Sequence, residues 1–217
     1  MSGAFVAARE DVLELYAEPY DPHRPKGCFG ETNRQLLADL RSPLPARPGR
    51  PLRQDYTYER KATRNLFIHC EWQTGWRHVE VTERRTMQDF ACQMRWLVEE
   101  RYPRADKIRV ILDNLNTPGP GSLYEAFAPA VARRLVEKLE FHYTPKHGSW
   151  LNMAEIELSI LQRQCLARRM ADEATLKQEV AAWEARRNQE QATINWQFSI
   201  TEARKKLQRL YPSPLVR

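Results

Sequence analysis

The sequence predicts an α/β fold in which helices flank a mixed sheet. Three features point there. The run Ile108–Leu112 is short and mostly apolar, the mark of a strand buried on both faces. Trp76–Val81 (W-R-H-V-E-V) alternates apolar and polar residues, as a half-buried strand does. The third feature is order: strands come first, then helix, strand, helix, strand and further helices. That order departs from regular βα alternation and fits a sheet of mixed direction.

Along the chain, Ala7–Tyr16 has helical character, with Val12 and Leu15 apolar, and ends before Pro19. Lys26–Phe29 and Gln35–Leu40 read as the two strands of a hairpin. Between Arg41 and Arg64 four prolines (Pro43, Pro45, Pro48, Pro51) predict a stiff, extended segment that buries little. Asn65–Cys70 is a strand, and Gly75 marks the turn before the next. Thr86 can cap a helix running to about Arg101, with Phe90, Met94, Leu97 and Val98 on one face. Ser122 and Glu125 fit a capping box opening a helix through Leu139. Phe141–Tyr143 is a last strand. Helices follow from about Asn152, from Asp172 to about Gln191 and from Thr201 to Leu210, and the tail from Tyr211 should fray. The expected division is a helical lead-in over 1–24, a main domain over 25–170 with a basic insertion at 41–64, and extra C-terminal helices over 171–212.

Composition sets bounds on function. A chain of 217 residues, 42% hydrophobic and 29% charged, can bury a substantial core. No stretch approaches the ~18 apolar residues of a membrane span. Residues Met1–Glu10 show no secretory signal, so a cytoplasmic protein is expected. The four cysteines form no C-x-x-C pair and read as free thiols, most of them buried. The five histidines lack zinc-ligand spacing. A net charge of +6 suits a polyanionic partner. The segment Arg41–Arg64 concentrates that charge, with seven basic residues against two acids. It reads either as an arm laying Arg47, Arg50 and Arg53 on phosphates or as a solvated loop.

The most informative stretch spans Val110–Leu158. V-I-L-D-N-L-N delivers Asp113 and Asn114 to a strand end, where open α/β sheets expose ligand-binding groups. Both residues also begin ordinary turns well. Y-T-P-K-H-G-S-W-L-N-M-A-E-I-E-L then passes through a Pro/Gly loop into a helix bearing Glu155. Asn152 and Glu155 could be a capping pair. The apolar stripe Leu151, Ala154, Leu158, Leu161 and Cys165 puts Glu155 roughly 80° from its centre. There a carboxylate can turn toward a strand end, while Glu157 points elsewhere and is expected in solvent. A carboxylate at a strand end with another on a later helix is one way to build a divalent-metal site for phosphodiester chemistry. Lys146, His147, Ser149 and Trp150 in the intervening loop could touch a phosphate backbone or a base, or be ordinary packing and surface groups.

Further segments carry a likeness. They are R-E-D-V-L-E-L-Y-A-E-P-Y-D-P near the start, C-F-G-E-T-N-R-Q-L at Cys28–Leu36, P-A-R-P-G-R-P at Pro45–Pro51 and G-W-R-H-V-E-V-T-E-R-R-T at Gly75–Thr86. L-D-N-L-N-T, H-Y-T-P-K-H-G-S-W-L-N-M-A-E, A-A-W-E-A-R-R-N and A-R-K-K-L-Q-R-L-Y-P follow in order. Together they resemble the DDE-type transposases of the IS630 group of insertion sequences, relatives of the Tc1/mariner mobile elements. The resemblance implies a ribonuclease-H-like fold. It implies three carboxylates holding two Mg²⁺ (or Mn²⁺) ions about 3.5–4 Å apart, for DNA strand cleavage and strand transfer in transposition. Asp113 matches the second carboxylate and Glu155 the third.

Three departures qualify what the resemblance implies. The first carboxylate of the C-F-D-E-type motif belongs where Gly30 stands. Glu31 matches the residue after it, and side chains alternate along a strand, so Glu31 should face away from Asp113. A transposase lacking that carboxylate is expected to be impaired, or to persist as an inactive DNA-binding or dimerising remnant. Pro118 stands where the family commonly has His, which should alter the loop beside the site. The helix-turn-helix region that reads the element's ends is expected to be absent and supplied, if at all, by a separate polypeptide. Expected partners are DNA and a second copy of the chain, in the nucleoid of a bacterial cytoplasm and with no membrane.

Overall fold

A computed structural model describes residues 2–114 and 119–212. Among them the sheet has five strands in the order β3-β2-β1-β4-β5. β1 (Lys26–Asp39) pairs antiparallel with β2 (Tyr58–Glu71), and β2 pairs antiparallel with β3 (Trp76–Thr82). β4 (Ile108–Leu112) and β5 (Leu139–Tyr143) run parallel to β1. The sheet is therefore mixed, as the element order requires.

Helices cover both faces. On one lie α1 (Gly3–Ala17), α5 (Met153–Gln164), α6 (Glu173–Gln189) and α7 (Ile200–Lys206), around Leu13, Cys28, Ile68, Ala154, Leu161 and Trp183. On the other, α2 (Met87–Trp96), α3 (Gly121–Ala126) and α4 (Pro129–Lys138) surround Phe29, Phe67, Phe90, Leu123 and Leu135. The period of two along β1 sends Cys28 to the first core and Phe29 to the second. Each fully buried aliphatic or aromatic side chain contributes about 1.5–3 kcal/mol, so the two cores hold the layers together. Buried Lys26 completes α1 by donating to the carbonyls of Leu15 (3.1 Å), Glu18 (2.9 Å) and Pro19 (3.1 Å).

Three expectations need correction. The predicted hairpin at 26–40 is one unbroken strand. Its polar middle is the exposed row of β1, and Asn33 and Arg34 stay paired with Asn65 and Arg64 of β2. The predicted helix from Ser122 to Leu139 is two helices, because Pro129 opens α4 and cannot donate into a continuing helix. Ser122 makes no cap, and its hydroxyl donates to the Gly119 carbonyl at 2.6 Å. Finally, Glu157 is buried, as described below. The Thr86 helix begins as expected, with a capping box to Asp89, and passes into a π-helical turn over Leu97–Arg101.

β1 and β2 outrun the rest of the sheet as a two-stranded ribbon, and the basic segment closes its far end. That segment is a small hairpin with the bridges Leu44↔Arg53 and Arg47↔Arg50. Pro48 and Gly49 form its turn, and Gly49 has φ +75°, which favours glycine. At the sheet's edge α6 covers β3. Asn188 accepts from the Arg77 N–H and donates to the Arg77 carbonyl, both at 2.8 Å, and Glu184 accepts from the Val79 N–H at 2.8 Å. These side chains complete an edge that would otherwise offer itself to another strand.

Candidate active site at the sheet end

β4 ends at Leu112 and hands Asp113 to the rim of the sheet. The β1–β4 pairing ends with Cys28 opposite Ile111, and Gly30 and Asp113 each lie two residues beyond that last pair. Asp113 is half-buried, and the Thr144 hydroxyl donates to its Oδ1 at 3.1 Å. Thr144 is itself fixed, since its N–H donates to the Leu112 carbonyl at 2.8 Å. Thr144 was not singled out from sequence, although it follows the last strand in Y-T-P.

α5 brings the second carboxylate. Asn152 caps the helix by accepting from the Ala154 N–H at 3.0 Å, and its amide donates to the Phe29 carbonyl of β1 at 2.9 Å. One buried side chain thus starts α5 and ties it to the sheet. Glu155 lies in the first turn and meets Asp113. Burial, then the Asp113 charge and a hydrogen bond shared with Asp113, push the Glu155 carboxyl up. Burial also pushes Asp113 up, against the hydrogen bonds from Asn152, Thr144 and Glu155 that favour its ionised form. Two neighbouring carboxylates in a low-dielectric rim resist ionising together.

Gly30 faces the same side. A Cβ built there would lie 2.8 Å from the Ala154 Cβ, 3.3 Å from Leu158 Cδ1 and 3.4 Å from Ile68 Cγ2. α5 therefore occupies the space a side chain at position 30 would need. Glu31 points to the opposite side, where Arg85 donates to it at 2.8 Å. Among the described residues no cluster of three Asp, Glu, His or Cys side chains could hold a metal. Asp113 and Glu155 fit one divalent cation, whose charge would relieve their repulsion.

Glu157 anchors the helix rather than facing water. It is fully buried, 3.2 Å from Arg77 Nε of β3 and 2.9 Å from Arg187 Nη2 of α6. Its partners are far away in sequence, so helical periodicity alone could not foresee a compensated buried charge.

The predicted DNA-contacting residues fall in two places. Arg47, Arg50 and Arg53 are exposed on the hairpin arm, nine strand residues or roughly 30 Å beyond Gly30. Lys146 and His147 are exposed in the loop that follows Thr144. With Asn114, Pro145 and the start of α1 they line a cleft of about 330 Å³. Trp150 is 47% exposed and stands edge-on to Phe198 at 5.6 Å. Gly148 makes this loop possible, because a Cβ there would lie 2.6 Å from Pro145 Cγ. Pro118 lies outside the described residues.

Residues 28–177 match the model of the DDE superfamily endonucleases. The chain belongs to that family. No curated protein matches it. Among solved structures it is similar to the Mos1 mariner paired-end complex with Mn, at TM-score 0.54 and 17% identity over 88% of this chain and 58% of that one. The Mos1 strand transfer complex gives TM-score 0.55 and 15% identity over 88% of this chain and 59% of the other. A pre-cleavage Mos1 transpososome gives 0.52 and 14% over 91% and 65%. This DDE-family chain thus has the ribonuclease-H-like fold, and it spans about three fifths of the length of the Mos1 chains. Among the described residues no helix is long and apolar enough to cross a membrane.

Proposed function

We propose that the chain is the catalytic domain of an IS630-type transposase, formed by residues 25–170 and completed by the C-terminal helices. Its activity is impaired because Gly30 replaces the first of three metal-binding carboxylates. The observation that carries this reading is the meeting of Asp113 and Glu155 at the sheet end, with Gly30 beside them on the same face. Asp113 and Glu155 would hold a divalent cation, Mg²⁺ or Mn²⁺. Bound there, it would activate a water or DNA 3′-hydroxyl and stabilise charge on the scissile phosphate. Thr144 orients Asp113, and Asn152 sets the start of α5 so that Glu155 faces it. Lys146 and His147 would take the phosphate backbone in the adjoining cleft, with Trp150 against a base. Arg47, Arg50 and Arg53 would engage DNA farther along. The partners in this reading are transposon-end and target DNA and a second copy of the chain. The setting is the bacterial nucleoid.

The test is Mg²⁺- or Mn²⁺-dependent nicking of duplex DNA by the unaltered chain, Gly30→Asp and Gly30→Asp/Ala154→Gly. The second substitution removes the methyl group that the new Cβ at position 30 would strike. The expected result is cutting by the double variant, abolished by Asp113→Asn, with little or none from the unaltered chain. Equal cutting by the unaltered chain would overturn the impairment. Failure of every variant, combined with salt-sensitive DNA binding that survives Asp113→Asn and Glu155→Gln, would favour a non-catalytic DNA-binding remnant. The exposed arginine arm, remote from the carboxylates, is the feature that supports this second reading.

A further inference from the structure

Cys28 of β1 and Cys70 of β2 stand directly opposite each other in the antiparallel register. Both are free, and they are 0% and 2% exposed. Opposed residues in such a pair have Cα atoms about 4.5 or about 5.5 Å apart, and either spacing lies in the range a disulfide spans. Their side chains rise on the same face, into the same core. Neither Cys92, on α2, nor Cys165, at the end of α5, has a cysteine across a strand.

The two sulfurs are not equivalent. Cys28 accepts hydrogen bonds from the Cys70 thiol and from the Met153 and Ala154 N–H groups in the first turn of α5. Burial pushes the Cys28 thiol up, but hydrogen bonds from Cys70, Tyr16 and the Met153 and Ala154 N–H groups, Cys70 foremost, outweigh it and hold Cys28 below its ordinary value. Tyr16 stands 3.4 Å from the Cys28 sulfur, yet its hydroxyl donates to the Leu151 carbonyl at 2.5 Å. Cys70 is pushed well up, first by its bond to Cys28 and then by burial.

We propose that Cys28 and Cys70 are a peroxide-sensitive dithiol that closes into a reversible intrachain disulfide beneath the start of α5. The Cys28 thiolate attacks one oxygen of hydrogen peroxide. The O–O bond breaks, hydroxide leaves and takes a proton to become water, and Cys28 becomes a sulfenic acid. The Cys70 sulfur then attacks the Cys28 sulfur as its proton passes to the departing hydroxide. An S–S bond and a second water result, and peroxide has been reduced by the electrons of two thiols. Closure draws the Cys28 sulfur from the Met153 and Ala154 N–H groups, two residues along β1 from Gly30. This inference does not depend on the transposase reading.

The test uses the full chain carrying Cys92→Ser and Cys165→Ser. The native protein is treated with hydrogen peroxide, quenched with catalase, unfolded and alkylated. Mass spectrometry should show loss of two hydrogens, no alkylation and a cross-linked peptide joining Cys28 to Cys70. Dithiothreitol should restore both alkylations. With Cys70→Ser added, a dimedone adduct should appear on Cys28. Circular dichroism checks that each variant folds, and if one does not, the peptide map of the unsubstituted chain decides. Full alkylation of Cys28 and Cys70 at peroxide doses that oxidise the exposed Cys92 of the unsubstituted chain would overturn the proposal. So would a disulfide that forms only after unfolding.

Discussion

Replacing Gly30 with alanine adds one methyl group at a known place. Its carbon would lie 2.8 Å from the Ala154 Cβ, whereas unstrained carbon contacts lie at about 3.5–4.0 Å. The shortfall is close to an ångström. Leu158 and Ile68, at 3.3 and 3.4 Å, can turn their side-chain ends aside. Ala154 has no rotamer to change, so α5 itself must move. That helix is tied to β1 through Asn152 and to β3 and α6 through Glu157. Overpacking of this kind costs about 1–3 kcal/mol. Relief of glycine's entropy in a strand returns about 0.5–1 kcal/mol. Gly30→Ala should therefore lose up to about 2.5 kcal/mol, with Tm falling about 2–4 °C for each kcal/mol in a protein of this size. Ala154→Gly alone should cost about 1 kcal/mol as a helical glycine. The double variant moves the methyl group from helix to strand and should be no worse than Ala154→Gly. Urea unfolding of the four proteins, followed by circular dichroism, gives the coupling, expected at about 1–3 kcal/mol. A Gly30→Ala variant more stable than the unaltered chain, or effects of the two substitutions that simply add, would refute the close approach of α5.

Two further substitutions test the surroundings. Glu157→Gln leaves Arg77 and Arg187 without a buried counter-charge and should cost about 3–5 kcal/mol in urea unfolding; an unmoved midpoint would mean that water already reaches the cluster. Asp113→Asn should stabilise the metal-free protein at pH 7, because the folded state holds Asp113 above its ordinary value. The sign follows from linkage: the penalty is absent below the unfolded value of about 4, grows as pH rises to the folded value and stays constant above it. The gain in Tm should vanish at pH 3. Mn²⁺ should raise the Tm of the unaltered chain and not that of the variant, and an equal rise in both would remove Asp113 from the metal site.

Local chemistry made much of this fold legible. Ile108–Leu112 reads as a central strand because it is apolar on both faces, and it forms β4 between β1 and β5. Asn152 reads as a cap because its short amide reaches the next turn, and it does cap α5. What sequence could not carry was long-range pairing. E-T-N-R in β1 looks like a turn until β2 supplies partners for its backbone. Glu157 looks solvated until Arg77 and Arg187 arrive from two other elements. Asp113 and Glu155 could be nominated from their places at a strand end and on a helix border. That a side chain at position 30 would strike Ala154 depends on how closely α5 lies on the sheet, and no periodicity contains that distance.

The position of α5 links Gly30 to the rest of the molecule. Glu155 can meet Asp113 because α5 begins at Asn152 and is held to β1 there. The helix can lie as near to β1 as it does because position 30 has no side chain. An aspartate introduced at this position would thus do two things at once. It would add a third negative group beside two carboxylates already pushed up by burial, and it would press α5 away from the strand. Without a cation the first effect repels, and the second moves Glu155, the group the new carboxylate is meant to join. Gly30→Asp alone should therefore fold less stably and bind Mn²⁺ less well than Gly30→Asp/Ala154→Gly. Melts with and without Mn²⁺ separate the two effects, because the metal offsets repulsion but not a steric clash. If both variants gain equally from Mn²⁺, the spacing of α5 is softer than its buried ties imply, and an aspartate at position 30 meets no steric barrier from Ala154.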